Sequence, residues 1–150
     1  MALNSAILPI GPQQLFDRYL LHPETYPIWL VGADAIRSVD PGWPAPGTRF
    51  HHTVGVWPFH VRDHTESMAV DPPRTFVLSV RATPFVRGEV TFTVHGDADQ
   101  SILTIEERGL YGRANPVMRP LTDPLIHVRN QASLRRLAHL IDEDRAAATP

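Results

Sequence analysis

The sequence predicts an α+β fold in which a curved antiparallel sheet of about seven strands wraps a long C-terminal helix, with two short helices after the first strand. Three observations predict it. DPLIHVRNQASLRRLAHLIDE, residues 123–143, is the one long amphipathic stretch, with Ile126, Asn130, Leu134, Leu137 and Ile141 recurring at spacings of four, four, three and four. Those positions form a single stripe on a 3.6-residue helix, and Arg135 and Arg136 fall on the solvent side. The roughly hundred residues before it read as short strands at period two, separated by Gly- and Pro-rich turns. A terminal helix with one apolar stripe must bury it, and the only large surface such strands can make is an antiparallel sheet.

Each element follows from local chemistry. Ala2 to Leu8 is a short apolar run closed by Pro9, which suits a first edge strand. Pro12 opens a helix through Leu20, with Leu15, Phe16 and Tyr19 on one face, and His22-Pro23 breaks it. PETYPIWLVGA reads as a second short helix ending at Gly32, packed by Tyr26, Trp29 and Leu30. Strands are expected at about 35–40, 48–54, 59–70, 75–83, 86–95 and 101–110, bounded by PGWPAPG, GVWP, DPP, Thr83-Pro84 and GDADQ. Tyr111 to Thr122 reads as a long loop over one end of the sheet, and residues from Glu143 to Pro150 as a frayed tail.

Composition narrows the function. A chain of 150 residues with 43% hydrophobic and 20% charged residues is an ordinary single globular domain. The formal net charge of -2 gives no electrostatic case for nucleic acid or for an anionic membrane surface. Cysteine is absent, which removes disulfides, thiolate metal sites and cysteine nucleophiles, and suits a cytoplasmic setting. MALNSAILPIGP lacks the basic start of a signal peptide, and no apolar run is long enough for a membrane span. All 14 basic residues are arginine, scattered rather than clustered, as a high-GC genome would give. Phosphate loop, dinucleotide glycine fingerprint, nucleophile elbow and His-Glu-x-x-His are all missing, so no cofactor is expected.

The candidate site comes from asking which polar side chains face inward. If the hairpin at GVWP pairs Val54 with Phe59, then His52 faces Val61 and Phe50 faces Asp63. Phe50, His52, Val54, Phe59, Val61 and Asp63 then form the interior face, and Arg49, His51, Thr53, His60, Arg62 and His64 the solvent face. His52 and Asp63 would be diagonal neighbours, a geometry in which a carboxylate can fix an imidazole tautomer for proton transfer, and equally one for a structural hydrogen bond. His51, His52, His60 and His64 invite a metal, but they divide between two faces with arginines among them, so none is expected. Leu103 and Ile105 bring Glu107 to the inner face of the last strand, opposite Asn130 and Arg129 on the long helix. That carboxylate either ties helix to sheet or, with Asn130, anchors a ligand's carbonyl or hydroxyl. Trp29, Trp57 and Tyr111 lie where loops would frame an entrance, and Phe92 on a strand facing the interior.

Three segments carry a family resemblance. HPETYPIWLVGADAIRSVD, GTRFHHTVG, and EERGLYG followed by the long-helix sequence resemble the corresponding segments of the START-like or SRPBCC superfamily, which includes the birch-pollen allergen group and the polyketide cyclase/dehydrase and lipid-transport families. The resemblance spans nearly the whole chain. It implies a helix-grip fold over residues 1–150 as one ligand-binding domain, monomeric or homodimeric, with an apolar cavity between sheet and helix. Three functions remain open: binding of a small hydrophobic or amphipathic molecule such as a lipid, isoprenoid or polyketide-like compound; a cyclase/dehydratase-like enzyme using His52 with Asp63, or Glu107; and a partner-binding protein whose cavity is filled.

Overall fold

The computed structural model describes residues 1–56, 58–82, 86–109 and 119–149. The chain begins with β1 (Ala2–Leu8), then α1 (Pro12–Leu15), which runs on into a π-helical turn (Phe16–Leu20). A 3-10 turn (Pro23–Thr25) leads into α2 (Tyr26–Trp29), which ends before Gly32 at φ 95°, a left-handed conformation that glycine adopts without strain. Six strands follow: β2 (Ala33–Val39), β3 (Arg49–Val56), β4 (Phe59–Asp71), β5 (Thr75–Ala82), β6 (Val86–Gly96) and β7 (Ser101–Gly109). Every strand boundary lies within two residues of its expected place, while α2 ends three residues before the expected Gly32. The last element, α3 (Arg119–Ala148), is longer than expected at both ends. Pro124 reads in sequence as the place where a helix starts, yet it sits inside the helix, and the stretch expected to fray from Glu143 is helical to Ala148.

The seven strands form one antiparallel sheet in the order β1-β7-β6-β5-β4-β3-β2. β1 and β2 are therefore at opposite edges, and the two short helices bridge the width of the sheet between them. Irregular register in β2 against β3, between Ala33 and Ala35 and between Ile36 and Ser38, and in β4 at Ser67/Ala69 marks bulges, the device that bends strands and increases twist. The sheet curves around α3, which at 30 residues is roughly 45 Å long.

The helix stripe is buried as its spacing requires. Leu134, Leu137 and Ile141 are completely inaccessible, Asn130 and Ser133 nearly so, and Ile126 is half-buried. Polar tethers fix the helix on three sides. The Asn4 amide donates to the His127 carbonyl at 3.1 Å and to Gln131 Oε1 at 3.3 Å, from β1. The Val31 backbone N–H donates to Ser133 Oγ at 3.0 Å. Near the C-terminal end the Tyr19 hydroxyl donates to Asp144 Oδ2 at 2.5 Å.

An aromatic cluster closes the core between α2 and the sheet. Tyr26 meets Trp29 and Phe50 edge-on at 5.4 and 5.5 Å, Trp43 meets Phe50 and Phe76 at 5.1 and 5.8 Å, and Trp29 reaches Phe92 at 6.5 Å. These are the offsets aromatic quadrupoles favour. Their polar ends are satisfied: Trp43 Nε1 donates to the Leu21 carbonyl at 2.8 Å, Trp29 Nε1 to Thr25 Oγ1 at 3.2 Å, and the Tyr26 hydroxyl to the Leu20 carbonyl.

Because Leu137 sits at the centre of the buried stripe, Leu137→Ala should cost about 2 to 5 kcal/mol in urea unfolding, the range for a large-to-small change in a packed core. A loss within about 0.5 kcal/mol, the scale of surface substitutions, would mean that α3 does not depend on this contact.

Candidate functional site: an apolar cavity with two polar stations

Inner-face side chains and α3 do not meet everywhere. Between β3 to β7, the α2–β2 connection and the middle of α3 lies a cavity of about 140 Å³. Ligand sites for drug-sized molecules commonly reach 300 Å³ or more, whereas about 150 Å³ of apolar void is enough for a single benzene ring. The space bounded by described residues thus suits a compact molecule, and it is smaller than a long-chain lipid needs.

Aromatic and aliphatic groups make most of the wall, among them Tyr26, Phe50, Leu78, Val80, Val90 and Phe92. Polar groups enter at two stations. At the first, β3 and β4 bring together His52 and Thr65, with His52 Nε2 and Thr65 Oγ1 2.9 Å apart. The register explains the contact: His52 lies directly opposite Asp63, and Phe50 opposite Thr65. The hairpin expected from Val54 facing Phe59 is two residues out of step with this register, because Val56 faces Phe59 at the turn. A shift of two preserves the face of every side chain. His52 and Asp63 therefore share a buried face, 5% and 6% exposed, but as direct cross-strand partners rather than diagonal ones.

Asp63 does not line the cavity. Its Oδ1 accepts the His64 backbone N–H at 2.9 Å and lies 3.6 Å from His64 Nδ1. Arg37, from β2, donates to the backbone carbonyls of His52 at 3.3 Å and Asp63 at 3.1 Å, tying the edge strand to this pair. Burial pushes the His52 imidazole below its ordinary pKa, against the opposing pull of the Asp63 carboxylate. His64 is lowered too, chiefly by burial and then by the nearby Arg49.

The second station joins β7 to α3. The Arg129 guanidinium donates to Glu107 Oε2 and, at 3.1 Å, to Asn130 Oδ1, while Asn130 Nδ2 donates to Glu107 Oε2 at 3.3 Å. All three line the cavity. Both roles weighed for Glu107 are thus open to it at once, because the ion pair that ties helix to sheet also forms part of the wall.

Of the residues singled out from sequence, Phe50, His52, Phe92, Glu107 and Asn130 line the cavity. Trp29 is fully buried in the aromatic cluster, and Val61 is 37% exposed and outside the cavity wall. The side chains at Val54 and Phe59, and the whole of Trp57 and Tyr111, lie outside the described residues. Thr65, Tyr26 and Val80 were not singled out. Thr65 is in phase with Asp63 on β4 and the correct register would have found it; Val80 is in phase with Leu78 on β5. On the outer face His51 stands opposite His64, with ring centres 6.1 Å apart, and His60 pairs with Asp34 at 3.1 Å. Among the described residues no group of three or more His, Asp or Glu is arranged to hold a metal ion.

The depressed imidazoles set a pH dependence. The unfolded chain takes up these protons as pH falls through about 6.5, before the folded chain does, so stability is full above that value and declines as pH falls toward the folded-state pKa. Urea midpoints should therefore drop between about pH 7 and 5. They should drop less for His52→Gln, and identical slopes for the two proteins would refute the assignment to His52.

No protein-family model and no curated protein matches the sequence. Solved structures do. The Zhui aromatase/cyclase from Streptomyces sp. R1128 superposes with a TM-score of 0.77 at 12% identity, over 99% of this chain and 96% of that one. A START superfamily protein from Mycobacterium smegmatis gives 0.72 at 11% identity, over 95% and 97%. The di-domain ARO/CYC StfQ from the steffimycin biosynthetic pathway gives 0.71 at 11% identity over 97% of this chain, which spans 51% of that protein. No helix among the described residues is long and apolar enough to cross a membrane. Likeness at such identities is likeness of fold: with the strand order, the two short helices and the long helix gripped by the sheet, this chain has a helix-grip fold like that of these structures.

Proposed function

We propose that this protein binds one small, mainly apolar molecule in the cavity between α3 and the sheet. The observation that carries the proposal is the wall itself: apolar nearly throughout, with hydrogen-bonding groups confined to the His52–Thr65 and Glu107–Arg129–Asn130 stations. Apolar walls supply affinity through burial, and a few fixed polar groups supply orientation. The cavity's size favours a compact ring system over an extended acyl chain. An interior left open by its side chains counts against the reading in which the protein serves only to dock a partner on its outer surface. The cysteine-free chain accords with a soluble role in a reducing, cytoplasmic compartment.

A second reading is catalytic, and His52 favours it. Its buried imidazole is held neutral at pH 7, is fixed at Nε2 by Thr65 and faces a pocket that would orient a reactive carbonyl compound. In that reading His52 accepts a proton from carbon next to the carbonyl and returns it to the departing oxygen, as in an aldol-type closure followed by loss of water. Two solved structures of this fold are aromatase/cyclases by name, which supports the chemistry as a class without naming a substrate.

Two measurements separate the readings. A panel of aromatic polyketides, flavonoids, isoprenoids and fatty acids should contain at least one compound that raises the melting temperature by several degrees, since a ligand at about 100 times its Kd stabilises by about 2.7 kcal/mol. Compact ring compounds should outperform long chains, and a panel without any shift would overturn the binding proposal. For any compound that is turned over, His52→Ala should lower kcat by about 10² to 10⁴ while leaving binding within about tenfold, because proton transfer acts in the transition state. Unchanged turnover would remove His52 from the chemistry.

A further inference from the structure

Resting on the binding proposal, the geometry points to the class of ligand: we infer that the cavity selects a neutral molecule with a carbonyl-type acceptor, whose oxygen is held by Arg129 Nε–H and whose flat body extends toward the Gly88–Gly109 pair at the cavity's edge, and that it rejects the matching carboxylate.

Two independent features lead there. The first is how charge is spent at the second station. Of the described residues lining the cavity, Glu107 and Arg129 alone are a carboxylate and a guanidinium, and they are paired with each other. The Glu107 side chain is 14% exposed and that of Arg129 36%, so the pair spans from the interior to the surface. Arg129 uses its terminal nitrogen for Glu107 and Asn130, and its Nε is buried with no hydrogen-bond partner among the described residues. A buried donor without an acceptor is destabilising, and a ligand oxygen placed there would recover that loss. A carboxylate would bring a third charge beside Glu107, and the balanced pair has little net attraction left to offset its desolvation. A neutral carbonyl meets the donor without that penalty.

The second feature is a gap in the inner face of the sheet. Alternation puts residues 88 and 109 on the same face as Val90 and Glu107, and both are glycine, paired directly across β6 and β7. Val80, opposite Gly88 on β5, and Val90 and Glu107 one step along, all line the cavity. Gly88 is buried, yet among the described residues a Cβ at this position would meet only the Arg108 carbonyl oxygen, at an ordinary 3.5 Å. Its φ does not require glycine. Neither glycine is itself part of the cavity wall; what the pair gives is bare, flat backbone at the cavity's edge, flanked by the wall residues Val80, Val90 and Glu107. A planar ring is the shape that covers such a surface.

The test uses 2-acetylnaphthalene and 2-naphthoate, which share one ring system and differ in charge, with acetophenone and benzoate as the single-ring pair, each measured by calorimetry. The ketone should bind at least about tenfold more tightly than its carboxylate, a difference of about 1.4 kcal/mol. Desolvation alone gives some preference of that sign, so the variant decides. Glu107→Gln, isosteric and uncharged, should strengthen carboxylate binding about tenfold or more and abolish or reverse the preference. Gly88→Leu should remove ketone binding while Gly88→Ala retains it, with circular dichroism and urea midpoints reporting that each variant is folded. A carboxylate that binds as tightly as its ketone, a Glu107→Gln preference equal to that of the parent protein, or ketone binding undiminished in folded Gly88→Leu would overturn the inference and leave the binding proposal standing. If none of the four probes binds and the wider ligand panel also fails, both fall.

Discussion

Everything in this molecule is arranged around the buried stripe of α3. Leu134, Leu137 and Ile141 have no access to solvent, and only a sheet that curves can cover them from several sides at once. That requirement explains the bulges in β2 and β4, the separation of β1 and β2 to opposite edges, and the two short helices that cross between them. It also explains the cavity. The curved sheet and the helix are close where large side chains fill the space, as at the aromatic cluster, and part company where the inner face carries smaller groups, as at Thr65 and Val80. The void is the part of the interface that α3 leaves uncovered.

Polar groups at that interface have two duties. Asn4, Ser133 and Tyr19 hold the helix from outside the cavity and fix its rotation, which an apolar stripe alone would leave loosely set. Glu107, Arg129 and Asn130 hold it from within, so the contacts that secure the fold are also those a ligand would meet. The other station differs, because His52 and Thr65 belong to adjacent strands and are fixed by sheet register rather than by helix position. One wall of the cavity is therefore set by backbone pairing and the other by side-chain packing.

Much of this was legible in the sequence for physical reasons. Period-two patterning and proline- or glycine-bounded turns located every strand, because each strand has one buried face and each turn needs special dihedrals. The helix stripe appeared in its own spacing, but its start did not, since Pro124 looks like a first-turn residue and is tolerated a turn further in. At the hairpin, GVWP was read as a wider loop than the one that forms, so Val56 rather than Val54 meets Phe59. Parity protected the face assignment, and His52 with Asp63 came out buried together, but the error hid Thr65, the residue His52 touches. Gly88 and Gly109 were invisible for another reason. Absent side chains matter only once their positions are known to face one another, and pairing partners are not encoded locally.

The edge position of β1 has a temporal side. Among the described residues its seven positions pair with β7 alone, Ala2 with Glu107 through Leu8 with Ser101, so this strand has no partner until about a hundred further residues have been synthesised. Through that interval an apolar strand stands with both edges open, and α3, which covers the inner face, comes later still. Leu3 and Ile7, left on its outer face at 54% and 64% exposure, add to the stickiness of the waiting segment. Bringing β1 to β7 therefore closes a loop of about a hundred residues, and the sheet cannot gain this edge before that closure.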